Sequence, residues 1–176
     1  MTNFKIPSLL VLIFFTFSGL FAQSTQSITV VKLKDGSAFI ECETISQSNN
    51  YFSNLNSFDG EYWIGPQTNL SLQSALKKAV SWAKLNEEHQ KAFDKEIIRI
   101  RVTDKEHYEF YRKYIPEFSK EAILTFYGYA DGSFLISLTI KDDLVDISLE
   151  SIEGINDLIK MLQGKSINKE IDDIFH

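Results

Sequence analysis

A chain of 176 residues is the size of one domain, and 44% apolar residues with only 8 Gly and 3 Pro exclude disordered, collagen-like and low-complexity classes. Its 18 basic against 24 acidic residues leave a net charge of -6 and a pI near 5.1. That balance removes the diffuse attraction on which non-specific nucleic-acid binding depends, so nucleic acid is not an expected partner.

Lys5 is the only charge in the first 22 residues, and the apolar run from Leu9 to Phe17 behind it ends in Ser18-Gly19. A charged start, a short apolar core and a small residue, Ala22, describe a signal peptide over residues 1–22. The apolar run falls short of the roughly 20 residues a spanning helix needs, so cleavage rather than anchoring is expected, with no membrane span afterwards. Leu20 is larger than the residue usual two positions before Ala22, which blurs the cut by a residue or two. Cys42, the single cysteine, lies too far along to take a lipid anchor. The Leu20-Phe21-Ala22-Gln23 ending resembles that of exported bacterial proteins, a likeness confined to the leader. The expected product is a periplasmic or extracellular domain over residues 23–176, with 17 basic and 24 acidic residues, net -7. One cysteine cannot make a disulfide within the chain, so core packing alone must stabilise it.

Three Asp-Gly pairs punctuate the mature chain, at Asp35-Gly36, Asp59-Gly60 and Asp131-Gly132. Each suits a tight hairpin turn, because Asp and Gly tolerate the backbone angles such turns require. The first joins strands over 28–33 and 38–45; period two there puts Ala38, Ile40 and Cys42 on one face and Glu41 and Glu43 on the other. The second follows the Ser/Asn-rich stretch 46–57, which reads as a loop with a short strand at Tyr51-Phe52. Leu72, Leu76, Ala79, Val80 and Ala83 have helical spacing from about 71 to 91, with Gly65-Pro66 closing the segment before. A half-exposed strand over 96–102 comes next, then Thr103 and Glu106 as a capping box for a short helix to about 114, stopped by Pro116. The third Asp-Gly joins strands over 123–129 and 134–140. Ile152, Ile155, Leu158, Ile159 and Leu162 form an apolar stripe ended by Gly164, and a last short helix is expected from Ser166. Strands in hairpins interrupted by helices predict an α+β fold, a mostly antiparallel sheet with helices packed on one face.

No constellation fixes a chemistry. His89 follows two glutamates without a second His one turn on, His107 sits between Glu106 and Glu109, and His176 is terminal, so no metal site is expected. There is no Gly-x-Ser-x-Gly elbow, and Cys42 reads as a small core residue. Gly164-Lys165-Ser166 would need a glycine where Ile159 stands to be a phosphate loop. Asp142, Asp143, Asp146, Asp172 and Asp173 lack the alternation of a calcium loop and read as helix N-terminal and surface charges. No cofactor is implied.

Two features stand out. Tyr51, Phe52, Phe58, Tyr62 and Trp63 are set among Asn, Ser and Gly, as in sugar- or protein-binding surfaces; the competing reading is that Tyr62 and Trp63 plug the core. A second aromatic set, Tyr108, Phe110, Tyr111 and Tyr114, is expected to pack on the sheet. Charge is also segregated: residues 77–120 hold 11 basic and 8 acidic side chains, and residues 142–176 hold 3 and 9. The expectation is an exported, non-enzymatic binding domain for a protein or cell-envelope component, inhibitor-like or immunity-like, with Tyr51, Phe58, Tyr62 and Trp63 as contact residues. The alternative is a small exported hydrolase with an aromatic-lined site near Glu61, Tyr62 and Trp63.

Overall fold

A computed structural model describes residues 24–46, 60–143 and 145–165. The leader, Tyr51, Phe52, Phe58 and the helix expected after Ser166 lie outside these residues.

Seven strands follow one another in spatial order as they do in sequence, each antiparallel to the next. They are β1 (Ser24–Lys32), β2 (Ala38–Ser46), β3 (Gly60–Ile64), β4 (Phe93–Asp104), β5 (Ser119–Gly128), β6 (Phe134–Ile140) and β7 (Val145–Leu149). Three helices interrupt them: α1 (Pro66–His89), α2 (Lys105–Tyr111) and α3 (Ile152–Gln163). This is the expected α+β arrangement of hairpins and helices. The sheet curls until its two outer strands, β1 and β7, come into contact.

Period two sorts every strand into an inner and an outer face. Register aligns Ile28, Cys42 and Gly60 in one row, and Val30, Ile40 and Tyr62 in the next. On the other half Ile100, Ala122 and Ile140 align, as do Ile98, Leu124, Leu138 and Ile147. These residues meet Leu72, Leu76, Ala79 and Ala83 of α1 and Ile155, Leu158, Ile159 and Leu162 of α3 in one core. The two longer helices therefore share the inner face. The two-turn α2 lies on the outer face, where Tyr108 stacks on Trp63.

Two of the three expected Asp-Gly turns form as their chemistry dictates, and Asp59 of the other lies outside the described residues. Gly36 and Gly132 have φ of +89° and +88°, and in each turn the Asp carboxylate accepts from the amide and hydroxyl of the following Ser. Three boundaries differ from the sequence reading. Pro66 opens α1 instead of closing the segment before it, since its missing N–H is one the first helical turn leaves unbonded anyway. The cap position of α2 falls at Asp104, not Thr103, because β4 runs on through Asp104 with both residues still paired to β3. Finally, Val145, Ile147 and Leu149 alternate as β7 where helix-leading charges were expected, so Asp146 is a strand residue and Asp143 belongs to the turn before it.

Pairing is uneven along β4. It joins β5 from Phe93 to Thr103, but meets β3 only at Thr103 and Asp104, because the chain turns at Gly65 into α1. Among the described residues no helix is long and apolar enough to cross a membrane.

Candidate functional site

Two clusters form around β3, one on each face. Tyr62 points inward and Trp63 outward, as consecutive strand residues must. Both rings are packed, Tyr62 3% and Trp63 8% exposed, so each acts from beneath the surface.

On the inner face Tyr62 stands opposite Asp104 in register. Lys120 lies in phase with Ala122, Leu124 and Phe126, so the pattern that buries those three also turns its ammonium inward. The turn after β6 brings in Asp143. Tyr62 donates its hydroxyl proton to Asp143 Oδ2 at 2.6 Å, while Lys120 Nζ reaches Asp104 Oδ1 at 2.8 Å and Asp143 Oδ1 at 2.6 Å. Burial and the bond to Asp143 push the Tyr62 phenol well above its ordinary range. Burial alone would raise Asp143, but the bonds from Lys120 and Tyr62 outweigh it and hold the carboxyl below its usual value. Lys120 is pulled down by burial and more than restored by its two carboxylates, so it stays protonated. These groups line a hollow of about 480 Å³ together with Glu61 and His107. At its rim Lys105 Nζ bonds Glu41 Oε1 at 2.7 Å and Glu61 Oε2 at 3.0 Å, and His107 Nδ1 lies 3.2 Å from Asp104 Oδ2.

On the outer face two layers of rings stack. Tyr108 lies flat on Trp63, with centroids 4.3 Å apart and planes 9° apart, and meets Phe39 edge-on. Tyr114 packs on Trp63 from the other side. A helix as short as α2 has little stability of its own, and this stack ties it to the sheet. Above it His107 stacks on Phe118, Phe118 on Tyr111, and Tyr111 meets Phe110 edge-on. Phe110 is 79% exposed, and Tyr111, Tyr114 and Phe118 are also exposed. Thus of the second aromatic set Tyr108 packs as expected, on Trp63 and Phe39, while Phe110, Tyr111 and Tyr114 are exposed. Beneath the stack, Trp63 Nε1 and Thr103 Oγ1, opposite each other in register, are buried without a hydrogen-bond partner among the described residues.

No protein-family model, curated protein or solved structure matches this chain. The site must therefore be read from its own geometry. Glu61 and Tyr62 line the same hollow and Trp63 does not. Lys120 and Asp104 escaped the sequence reading, and Asp143, read there as a helix-leading or surface charge, instead bonds Tyr62 and Lys120; the available signal was a lysine in the apolar phase of β5. His107, assigned there to a charged outer surface, joins the two clusters through its contacts to Asp104 and Phe118. Among the described residues no three His, Cys, Asp or Glu side chains converge as a metal site.

Proposed function

We propose that the mature chain is an exported, non-enzymatic binding domain that holds a protein or cell-envelope component on the aromatic platform of α2 and the Pro116–Phe118 turn. The observation that carries the reading is the pair of ring clusters, in which Tyr108 anchors α2 on the buried Trp63 while Phe110, Tyr111 and Phe118 beside it face solvent. Exposed rings held rigidly offer large contact area at small entropic cost, which is how binding hot spots are built. The polar hollow beside the platform supports binding over turnover. A hydrolase that works by a pair of carboxyl groups needs one kept protonated near neutrality, whereas Asp143 is held below its ordinary range and Glu61 is paired with Lys105. Export rests on the leader, and an inhibitor-like or immunity-like role is compatible with a platform of this size.

The test is a photo-crosslinking amino acid placed at position 110 in the full chain, expressed in its own cell. The expected result is one discrete adduct, lost when Tyr111→Ser and Phe118→Ser are added, with circular dichroism unchanged. Equal labelling from position 110 and from a control at Lys141 on the outer sheet face would overturn the platform as the contact surface. Retention of residues 1–22 in a cytoplasmic product would overturn export.

A further inference from the structure

From Phe93 to Val102 the side of β4 that faces away from β5 has no strand partner among the described residues. On that side alternate residues present unbonded N–H and C=O groups, the template on which an extended chain adds as a further strand. The open edge lies along a trench. One end is a hollow of about 370 Å³ between α1 and the start of β4, floored by Trp82, Leu85 and Phe93. The other is a hollow of about 380 Å³ between Leu70 and Ile97-Ile98. Lys78 joins the two, since it lines the second and its Nζ lies 4.8 Å over the Trp82 ring of the first. Leu70 is 57% and Leu85 50% exposed, an apolar surface that α1 leaves uncovered beside the sheet.

The walls carry a charge signature. Lys78, Lys91 and Lys95 line the trench, with Lys95 Nζ 5.5 Å from the centre of the Trp82 ring. None of the residues lining the two hollows is acidic, while Asp94 and Glu96 of β4 stand on the opposite face of the sheet. We infer that the trench between α1 and β4 receives an extended acidic peptide of another protein, which pairs its backbone with β4 and turns inward one face carrying both apolar side chains, laid against Trp82, Phe93 and Ile98, and carboxylates, directed at the lysines. Backbone pairing supplies affinity, the apolar floor selects one face of the peptide, and the three lysines select its charge. The extra residue between Glu96 and Ile98 bulges the strand at the middle of the edge, which discourages register-free pairing with any passing strand. This site is on the helix side of the sheet and does not depend on the α2 platform.

The probe is a capped eight-residue peptide whose one face carries Val, Asp, Phe and Glu in alternate positions, with Ser and Thr between them, titrated into the full chain. Amide hydrogen exchange and NMR shifts are followed along β4. The expected result is saturable binding that slows exchange of the β4 amides not bonded to β5. Binding should be abolished when the peptide is N-methylated at alternate residues, absent for the Lys-for-Asp/Glu counterpart, and weakened about tenfold by Lys78→Glu with Lys95→Glu. Exchange at those amides already slow in the free chain would mean that its own residues, such as 166–176, cover the edge, and would overturn the proposal. So would shifts confined to other strands, no binding, or equal binding of the N-methylated peptide. None of these outcomes bears on crosslinking from position 110.

Discussion

The side-chain amide of Gln26 clasps the backbone on both sides of Ile147. Its Nε2 donates to Asp146 O at 2.7 Å, and its Oε1 accepts from Ser148 N at 2.8 Å. Gln26 belongs to the first strand and Ile147 to the last, so one amide imitates a ladder pair where no strand pairing is made. Replacing it by Ala removes both bonds and should cost about 1 kcal/mol, since an exposed amide pair is partly rebonded by water. The sharper readout is local: exchange at the Ser148 amide should accelerate in Gln26→Ala while amides of β5 keep their rates. Unchanged protection at Ser148 would mean that the curl of the sheet does not depend on the clasp.

Asn69 and Asn86 are buried in α1, where asparagine weakens a helix, and each bonds one Asp-Gly-Ser turn. Asn69 Nδ2 donates to Gly36 O at 2.9 Å, and Asn86 Nδ2 to Ser133 O at 2.8 Å and Tyr129 O at 3.1 Å. One helix thus pins the tips of two hairpins from opposite halves of the sheet. Asn69→Ala and Asn86→Ala should each cost about 2 kcal/mol, because turn carbonyls are left without their donor away from water. The sites are roughly 25 Å apart along the helix, so the double variant should lose the sum of the two. A double loss well below that sum in urea denaturation would show that the turns are coupled by something other than α1.

The polar cluster sets a pH window. The folded state depresses Asp143, so its contribution to stability is present above the ordinary carboxyl value near about 4 and fades as pH falls through the depressed one. Tyr62 and Lys120 are raised, so their contributions hold below about 10 and fade as pH rises through the folded values. Urea midpoints should therefore form a plateau that falls on both sides, and Asp143→Asn should lower the plateau while flattening the acid limb. Of the seven tyrosines in the chain, Tyr62 should keep its proton in an absorbance titration until the protein unfolds. Loss of that lagging tyrosine in Tyr62→Phe is the check; its persistence would assign the effect to another ring.

Hairpins with Asp-Gly turns, the apolar stripes of α1 and α3 and the inner phase of β2 were legible because they are local: neighbours in sequence dictate period and turn. β7 was obscured by Asp142, Asp143 and Asp146, whose charges suggest solvent, although Val145, Ile147 and Leu149 alternate between them. The aromatic segment at β3 stands out in the sequence, yet its division between two faces, which gives Tyr62 and Trp63 unrelated surroundings, does not. Lys120, Asp104 and Asp143 come together only through strand register and a turn, 16 to 39 positions apart, which no spacing rule encodes. The open edge of β4 was hidden for a different reason. It arises from what β3 fails to do after Trp63, and a sequence motif marks pairings more readily than their end.

The meander has a consequence for the order of events as the chain is made. Consecutive strands are spatial neighbours, so each hairpin can close soon after its second arm appears, which favours rapid folding. β1 is the exception on its inner side, because α3 packs over it and Lys32 Nζ bonds Gln163 O, 131 positions later. Ile28 and Val30 thus wait for the last helix. A chain delivered N-terminus first, from a ribosome or through a membrane pore, carries this domain unfinished until α3 has emerged, and truncation before Leu162 should leave its first strand uncovered.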